Sequence, residues 1–322
     1  MVLQQPANAW TGLMLGGKSG IALELTRTQR QAFDELLAKS RRRLPQELTR
    51  SDFDHPEVLA LAASLDDVLR RGRGVVLLAG LNCQNCAEQD MERIYWGIGT
   101  LLGEAAVQSP LGDRLGHVRD VPQDPIARGY RSAAELPLHT DLYPVVGLMC
   151  LQRAESGGLS TMVSSLAIHN ELLRTRPDLL EPLYEGYYFA LVQAQGSGHT
   201  SYKIPVFHSE CDVVTCGYSR ALIERAAEMR REALPWKLAE ALQRFDELAG
   251  REDLALRFRL EPGEMLFWAN FQMVHARDAY QDSAVRTRHL LRLWLKVQND
   301  WPVAPELRAY ARDYEQLFGG PA

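Results

Sequence analysis

Apolar residues recur at helical spacing through the first third of the chain. TRTQRQAFDELLAKSRR and HPEVLALAASLDDVLRRG each gather them on one face, the second with Pro56 near its start and Gly72 at its end, so both are expected to be helices. GVVLLAGL breaks that period. A short β-branched and leucine-rich run between glycines reads as a strand, and AEQDMERIYWGIGTLLG returns to a helix. From His139 onward, short apolar segments recur between turns: VVGLMCLQ, GLSTMVSS, YYFALVQ, IPVFH, DLALRFRLEPGEMLFWAN and RHLLRLWLKV. Two expected helices interrupt them, SLAIHNELLRTRPDLLEPLYE and YSRALIERAAEMRREALPWKLAEALQRFDELAG, and PELRAYARDYEQLFG predicts one more at the end. A parallel α/β sheet would alternate strand and helix far more regularly. Many short strands spread over a long separation predict an α+β protein with a closed antiparallel barrel or jelly-roll core and helices outside it. With no repeat and no linker, 1–322 is expected to be a single domain: a helix-rich part over about 1–105, the β core over about 106–300 and a C-terminal helix over about 303–318.

Composition narrows the function. Apolar residues make up 46% and charged residues 24% of 322, with a formal net charge of -5. No basic excess exists to hold phosphate backbones, so nucleic acid is excluded as an expected partner, and the short arginine clusters at 41–43 and 70–73 read as solvated helix faces. No window is long and apolar enough to cross a bilayer, and MVLQQPANAW lacks the basic and apolar regions of a signal peptide, which predicts a cytoplasmic protein without a membrane partner. Five cysteines, an odd number, argue for reduced thiols. Cys83 and Cys86 make a C-x-x-C that Cys211 and Cys216 could complete only at loose spacing, so core or loop cysteines are expected.

LPLHTDLYP is the stretch with chemistry in it. If PLHTDL is extended, His139 and Asp141 point to one side and Thr140 to the other. An H-x-D tripeptide by itself more often marks a turn or a hydrogen-bonded pair than a metal site. Its meaning changes with EPGEMLFWANFQMVHARDAY, where a strand leads to His275. Two imidazoles and one carboxylate suit a divalent first-row metal and leave coordination positions open for oxygen chemistry. His55, His117, His169, His199, His208 and His289 lack comparable neighbours and are read as surface, capping or supporting residues. In RHLLRLWLKV, period two places Arg288, Leu290, Arg292 and Trp294 on one face and His289, Leu291, Leu293 and Leu295 on the other. A buried arginine must be paired. The two are expected either to make structural salt bridges or to anchor a dicarboxylate.

These segments, together with GLMLGG, GHVRDV, RGYRSAAELPLHTD and ESGGLSTMVSS, resemble the iron(II)- and 2-oxoglutarate-dependent dioxygenases of the taurine dioxygenase family over nearly the whole chain. The resemblance implies a double-stranded β-helix. It implies that His139, Asp141 and His275 bind Fe(II), that Arg292 binds the far carboxylate of 2-oxoglutarate, and that Arg288 sits near the keto-acid end. The family's Gly-Gly-x-Thr falls on Gly157-Gly158-Leu159-Ser160, so the cosubstrate's hydroxyl partner would be Ser160, or Thr161 one step on, the two facing opposite ways. Asp141 closes the route open to halogenating relatives, which have a small residue there. The implied reaction consumes O2 and 2-oxoglutarate, releases succinate and CO2, and hydroxylates a small molecule. Desaturation or cyclisation by the same chemistry is the alternative outcome, and a non-catalytic metal-binding β-barrel is the alternative class. Arg131, Tyr143 and Arg277, with the PIARGYRSAAELP loop and the QSPLGD stretch, are expected to face the substrate, Arg128, Arg131 and Arg277 favouring an amino acid or small carboxylate. Homo-oligomers are compatible with all of this.

Overall fold

The computed structural model describes residues 7–81, 86–109, 111–123, 129–191, 198–210, 213–297 and 302–318. Cys83, Cys211 and Arg128 lie outside these. In chain order the principal elements are β1 (Ala22–Glu24), α1 (Arg27–Ser40), α2 (Pro56–Arg70), β2 (Val75–Ala79), α3 (Glu88–Leu102), β3 (Glu104–Ala105), β4 (Gly116–Val118), β5 (Leu136–His139), β6 (Val145–Gln152), β7 (Ser160–Ser164), α4 (Ser165–Thr175), α5 (Arg220–Arg230), α6 (Trp236–Ala249), β8 (Leu256–Phe258), β9 (Met265–Ala269), β10 (Met273–Arg277), β11 (His289–Lys296) and α7 (Pro305–Phe318).

Two sheets make the core. The larger runs β1-β2-β9-β6-β11-β3, with β4 also paired to β11, and the smaller runs β8-β7-β10-β5. All of these pairings are antiparallel except β1 with β2. That exception follows from the chain between them, which carries α1 and α2 and returns the strand in the same direction. The core is thus a jelly roll of two facing sheets.

Strand alternation sorts the apolar residues into two sets. Val75, Leu77, Val146, Cys150, Met162, Leu266, Trp268, Met273, Leu290 and Trp294 form one buried cluster, between the sheets. Their neighbours Val76, Leu78, Met149, Val163, Phe267, Val274, Leu291, Leu293 and Leu295 belong to the other, shared with the helices. Tyr95 of α3 meets Phe267 of β9 at 5.8 Å between ring centroids on this outer side. Strands apolar on both faces are what a sheet buried between a second sheet and a helical layer requires.

Several expectations are corrected by local chemistry. The long helix expected through residue 250 is two, because Arg231 adopts a left-handed φ of 55° and Pro235 starts the second helix. The helix expected to run to Glu185 breaks after Thr175, ahead of Pro177, and resumes as a short helix over Leu180–Glu185. YYFALVQ contributes only the two-residue strand Ala190–Leu191. Cys150 and Cys216 are buried free thiols, and among the described residues no helix is long and apolar enough to cross a membrane.

Candidate active site

Three side chains from two parts of the chain meet at one end of the space between the sheets. His139 closes β5, Asp141 follows two residues later, and His275 lies mid-way along β10, where it pairs directly with His139 across the ladder. Their rings are 4.3 Å apart. Asp141 Oδ1 is 4.0 Å from His139 Nε2 and its Oδ2 is 3.4 Å from His275 Nε2. One ligand atom from each lies within 4.8 Å of the others.

The ring nitrogens are prepared unequally. His139 Nδ1 donates to the Pro137 carbonyl at 2.8 Å, which leaves Nε2 unprotonated and turned toward Asp141. Burial, then the charge of His275, pushes the His139 pKa down to about 4, so the ring is neutral at pH 7. Burial opposes ionisation of Asp141, but the hydrogen bond and charge of His275, with Arg292 and His139, outweigh it and hold the carboxyl below its ordinary range. The result is a neutral imidazole beside a carboxylate. His275 Nδ1 is buried without a hydrogen-bond partner among the described residues, so it can take the ring proton if Nε2 gives it up. This donor set fits a first-row divalent ion.

The backbone of the H-x-D segment is pinned from both sides. Thr140 N donates to the Tyr218 carbonyl at 2.8 Å and Thr140 Oγ1 accepts from Tyr218 N at 2.9 Å. Asn270, fully buried after β9, accepts from Asp141 N through Oδ1 at 2.9 Å and donates through Nδ2 to the Asp141 and Tyr143 carbonyls at 2.8 and 2.9 Å. Sequence reasoning missed Asn270. An asparagine inside the apolar run MLFWANF was the available signal, because a polar side chain buried there must find partners.

A small inner cavity opens from the triad, walled by Leu148, Met162, Leu266 and Trp268. Arg277, Arg288 and Arg292 line it, against one carboxylate among the described residues, that of Asp141. Such a pocket favours an anion. Both arginines of β11 face it, as strand alternation predicts, but they sit at different depths. Arg292 acts electrostatically on His139 and Asp141, and its guanidinium lies over Tyr130 and Trp294 at 4.3 and 4.4 Å. Gln108, inside the QSPLGD stretch, accepts from Arg292 Nε at 2.7 Å and donates to the Arg292 carbonyl at 2.8 Å. Arg288 has Tyr280, Cys150 and Asp282 for its electrical neighbours, and burial lowers its pKa. Its Nη1 is buried without a hydrogen-bond partner among the described residues.

Cross-strand pairs place the two hydroxyls. Ser160 pairs with Arg277 and Met162 with His275, whereas Thr161 pairs with Ala276. Directly paired residues share a face, so Ser160 projects to the His275 side and Thr161 has the orientation of Val163 and Val274, although Thr161 also borders the inner cavity. Ser160 also shares a small cleft with Arg288, Gly157 and Gly158.

The three residues expected at the substrate are placed differently from one another. Arg277 touches the inner cavity, but its guanidinium donates to the Ser132 and Ala134 carbonyls at 3.0 and 2.6 Å and so holds the loop before β5. Tyr143 is buried, its ring 5.8 Å from Trp294, and lines a groove with Leu307 and Glu315 of α7 instead of either pocket that contains His139. Arg131 is half-buried and lines neither of those pockets. The outer pocket shares His139, Asp141 and Arg292 with the inner one and adds Ser219, Leu222, Trp294, Tyr310 and Tyr314. The last two come from α7, which sequence reasoning treated only as a surface helix.

Residues 40–294 match the profile of the taurine catabolism dioxygenase TauD, TfdA family. FR-33289 synthase of Streptomyces rubellomurinus is 30% identical over 283 residues, covering 82% of this chain and 83% of its own length. Among solved structures, asparagine oxygenase in complex with Fe(II), 2S,3S-3-hydroxyasparagine and succinate matches with a TM-score of 0.64 at 16% identity, over 86% of this chain and 93% of its own. The non-heme iron oxygenase OrfP in complex with Fe and alpha-ketoglutaric acid matches with a TM-score of 0.62 at 13% identity, over 86% and 94%. With its jelly-roll fold and its His-Asp-His cluster above a cationic cavity, the chain belongs to the TauD/TfdA family of iron(II)- and 2-oxoglutarate-dependent dioxygenases.

Proposed function

We propose that His139, Asp141 and His275 hold iron(II), that the inner cavity takes 2-oxoglutarate, and that the protein hydroxylates an unactivated carbon of a small molecule of the amino acid or small carboxylate class. The observation that carries this reading is the convergence of the three side chains at the mouth of a cavity lined by three arginines. Held by these three residues, the metal would supply activation of O2 coupled to conversion of 2-oxoglutarate to succinate and CO2.

The chain's own residues bind and aim. His139 offers Nε2 because Pro137 keeps the proton on Nδ1, and His275 offers Nε2 by moving its proton to Nδ1. The proposal reverses the two arginines relative to the sequence-based expectation. Arg288, with its unmatched Nη1 and with Ser160 nearby, suits the far carboxylate of the cosubstrate. Arg292, close to His139 and Asp141 and exposed to both pockets, suits the end of the cosubstrate next to the metal and an anionic group of the substrate. Trp294, Tyr310 and Tyr314 wall the outer pocket, where the substrate would lie. The hydroxy amino acids held by asparagine oxygenase and OrfP support the substrate class.

Anaerobic titration with iron(II) and 2-oxoglutarate should produce the weak visible charge-transfer band of the chelated cosubstrate. Air and an amino acid panel should then give succinate and a product heavier by one oxygen atom. Absence of the band would sink the assignment; a product lighter by two hydrogens would replace hydroxylation by desaturation or cyclisation.

Asn270 has a measurable consequence here. Asn270→Ala removes two hydrogen bonds to the Asp141 backbone and one to the Tyr143 carbonyl, and iron affinity should fall about 10- to 100-fold, the scale for losing a partner that orients a metal ligand. Unchanged affinity by the same titration would show that Tyr218 alone suffices to hold the segment.

A further inference from the structure

A second cluster of metal-binding side chains lies on the opposite face of β11. His117 of β4 and His289 at the start of β11 have their ring centroids 5.1 Å apart, with His117 Nδ1 only 2.9 Å from His289 Nε2. Glu88, in the first turn of α3, brings Oε1 to 3.8 Å from His289 Nδ1. Glu92, one turn on, stands 4.0 Å from His117 Nε2. His117 pairs with Leu291 across the ladder, and Leu291 belongs to the cluster packed under the helices. The two histidines therefore face α3, whereas Arg288 and Arg292 face the inner cavity.

We propose that Glu88, His117 and His289 form a second divalent-metal site, for a zinc-class ion, independent of the His139–Asp141–His275 centre. One ligand atom from each of the three lies within 4.8 Å of the others. Without a metal, the short nitrogen-to-nitrogen contact needs one ring to donate and the other to accept. A tetrahedral ion with bonds of about 2.0–2.1 Å sets its ligand nitrogens about 3.3 Å apart, so replacing the shared proton by an ion needs only a small widening of the pair. Burial lowers the pKa of both rings, which keeps their lone pairs available, as ligation requires. Burial, then Glu88, raises that of Glu92. Arg119 acts on both rings, while Glu88 opposes it on both and Asp113 on His117. Two imidazoles with carboxylates form a donor set of zinc type. Glu92, on the far nitrogen of His117, would orient that ring as carboxylates do behind metal-bound histidines. The ion would tie the first turn of α3 to β4 and β11, three elements far apart in sequence.

The test uses the full chain carrying His139→Ala and His275→Ala, which removes the first centre. Zinc retained after desalting, and the visible spectrum on cobalt(II) titration, should report one equivalent per chain. His289→Gln in that background should abolish it, and zinc should then no longer raise the melting temperature. Glu88 is exposed, so Glu88→Gln tests the site without disturbing the core, and affinity should fall about tenfold or more. No binding by the parent variant at micromolar zinc would overturn the proposal, as would equal binding with and without Glu88→Gln and His289→Gln. The cluster would then be a hydrogen-bonded histidine pair with flanking ion pairs.

Discussion

Asp141→Ala is expected to lower turnover by about 10³-fold or more, the scale seen when one member of a catalytic unit is removed. Among the described residues the carboxylate is the only anionic group lining the inner cavity, and it lies within 4.0 Å of both imidazoles. Without it, His139 and His275 face Arg292 with no negative charge between them, so iron(II) binding should weaken with turnover. Iron content after anaerobic loading and succinate formation check this together. A variant that retains full iron and full succinate production would show that Asp141 is not a ligand.

The second large effect separates the two arginines of β11. Truncating one partner of a buried charge pair costs about 2–5 kcal/mol, which is about 30-fold or more in affinity. Arg288→Leu should therefore weaken 2-oxoglutarate binding by about 30-fold or more, read from the charge-transfer titration, because its Nη1 is the buried donor awaiting a partner. Arg292→Leu should act chiefly on the KM of the hydroxylated substrate and less on cosubstrate affinity, because Arg292 reaches both pockets. The opposite pattern would restore the order expected from sequence, with Arg292 at the far carboxylate.

What was legible in the sequence was mostly local. Period two put Arg288 and Arg292 on one face of RHLLRLWLKV, and the structure has both on the inner cavity with Leu291, Leu293 and Leu295 behind them. The same rule put Ser160 and Thr161 on opposite faces of β7 but did not say which shares the face of His275. The pairing of Ser160 with Arg277 and Met162 with His275 orients them. Depth was equally invisible: nothing in the spacing of Arg288 and Arg292 says which lies nearer His139, because that depends on where β11 sits against β6 and β4. Tyr143 illustrates the limit from the other side. It is only two residues from Asp141, yet the turn after the H-x-D segment, held by Asn270, carries it away to the groove under α7.

By itself the sequence determined most of the elements, the faces of the strands that carry the site and its chemical inventory, since hydrophobic period and side-chain alternation are properties of consecutive residues. It also carried enough of the family's motifs to indicate the jelly roll and the cosubstrate. Only the tertiary structure decided which distant groups meet: His275 across from His139, Asn270 beneath Asp141, Gln108 on Arg292, and His117 on His289. Those contacts arise from strand register and sheet packing, which are set by the whole core at once and leave no mark at a fixed spacing along the chain.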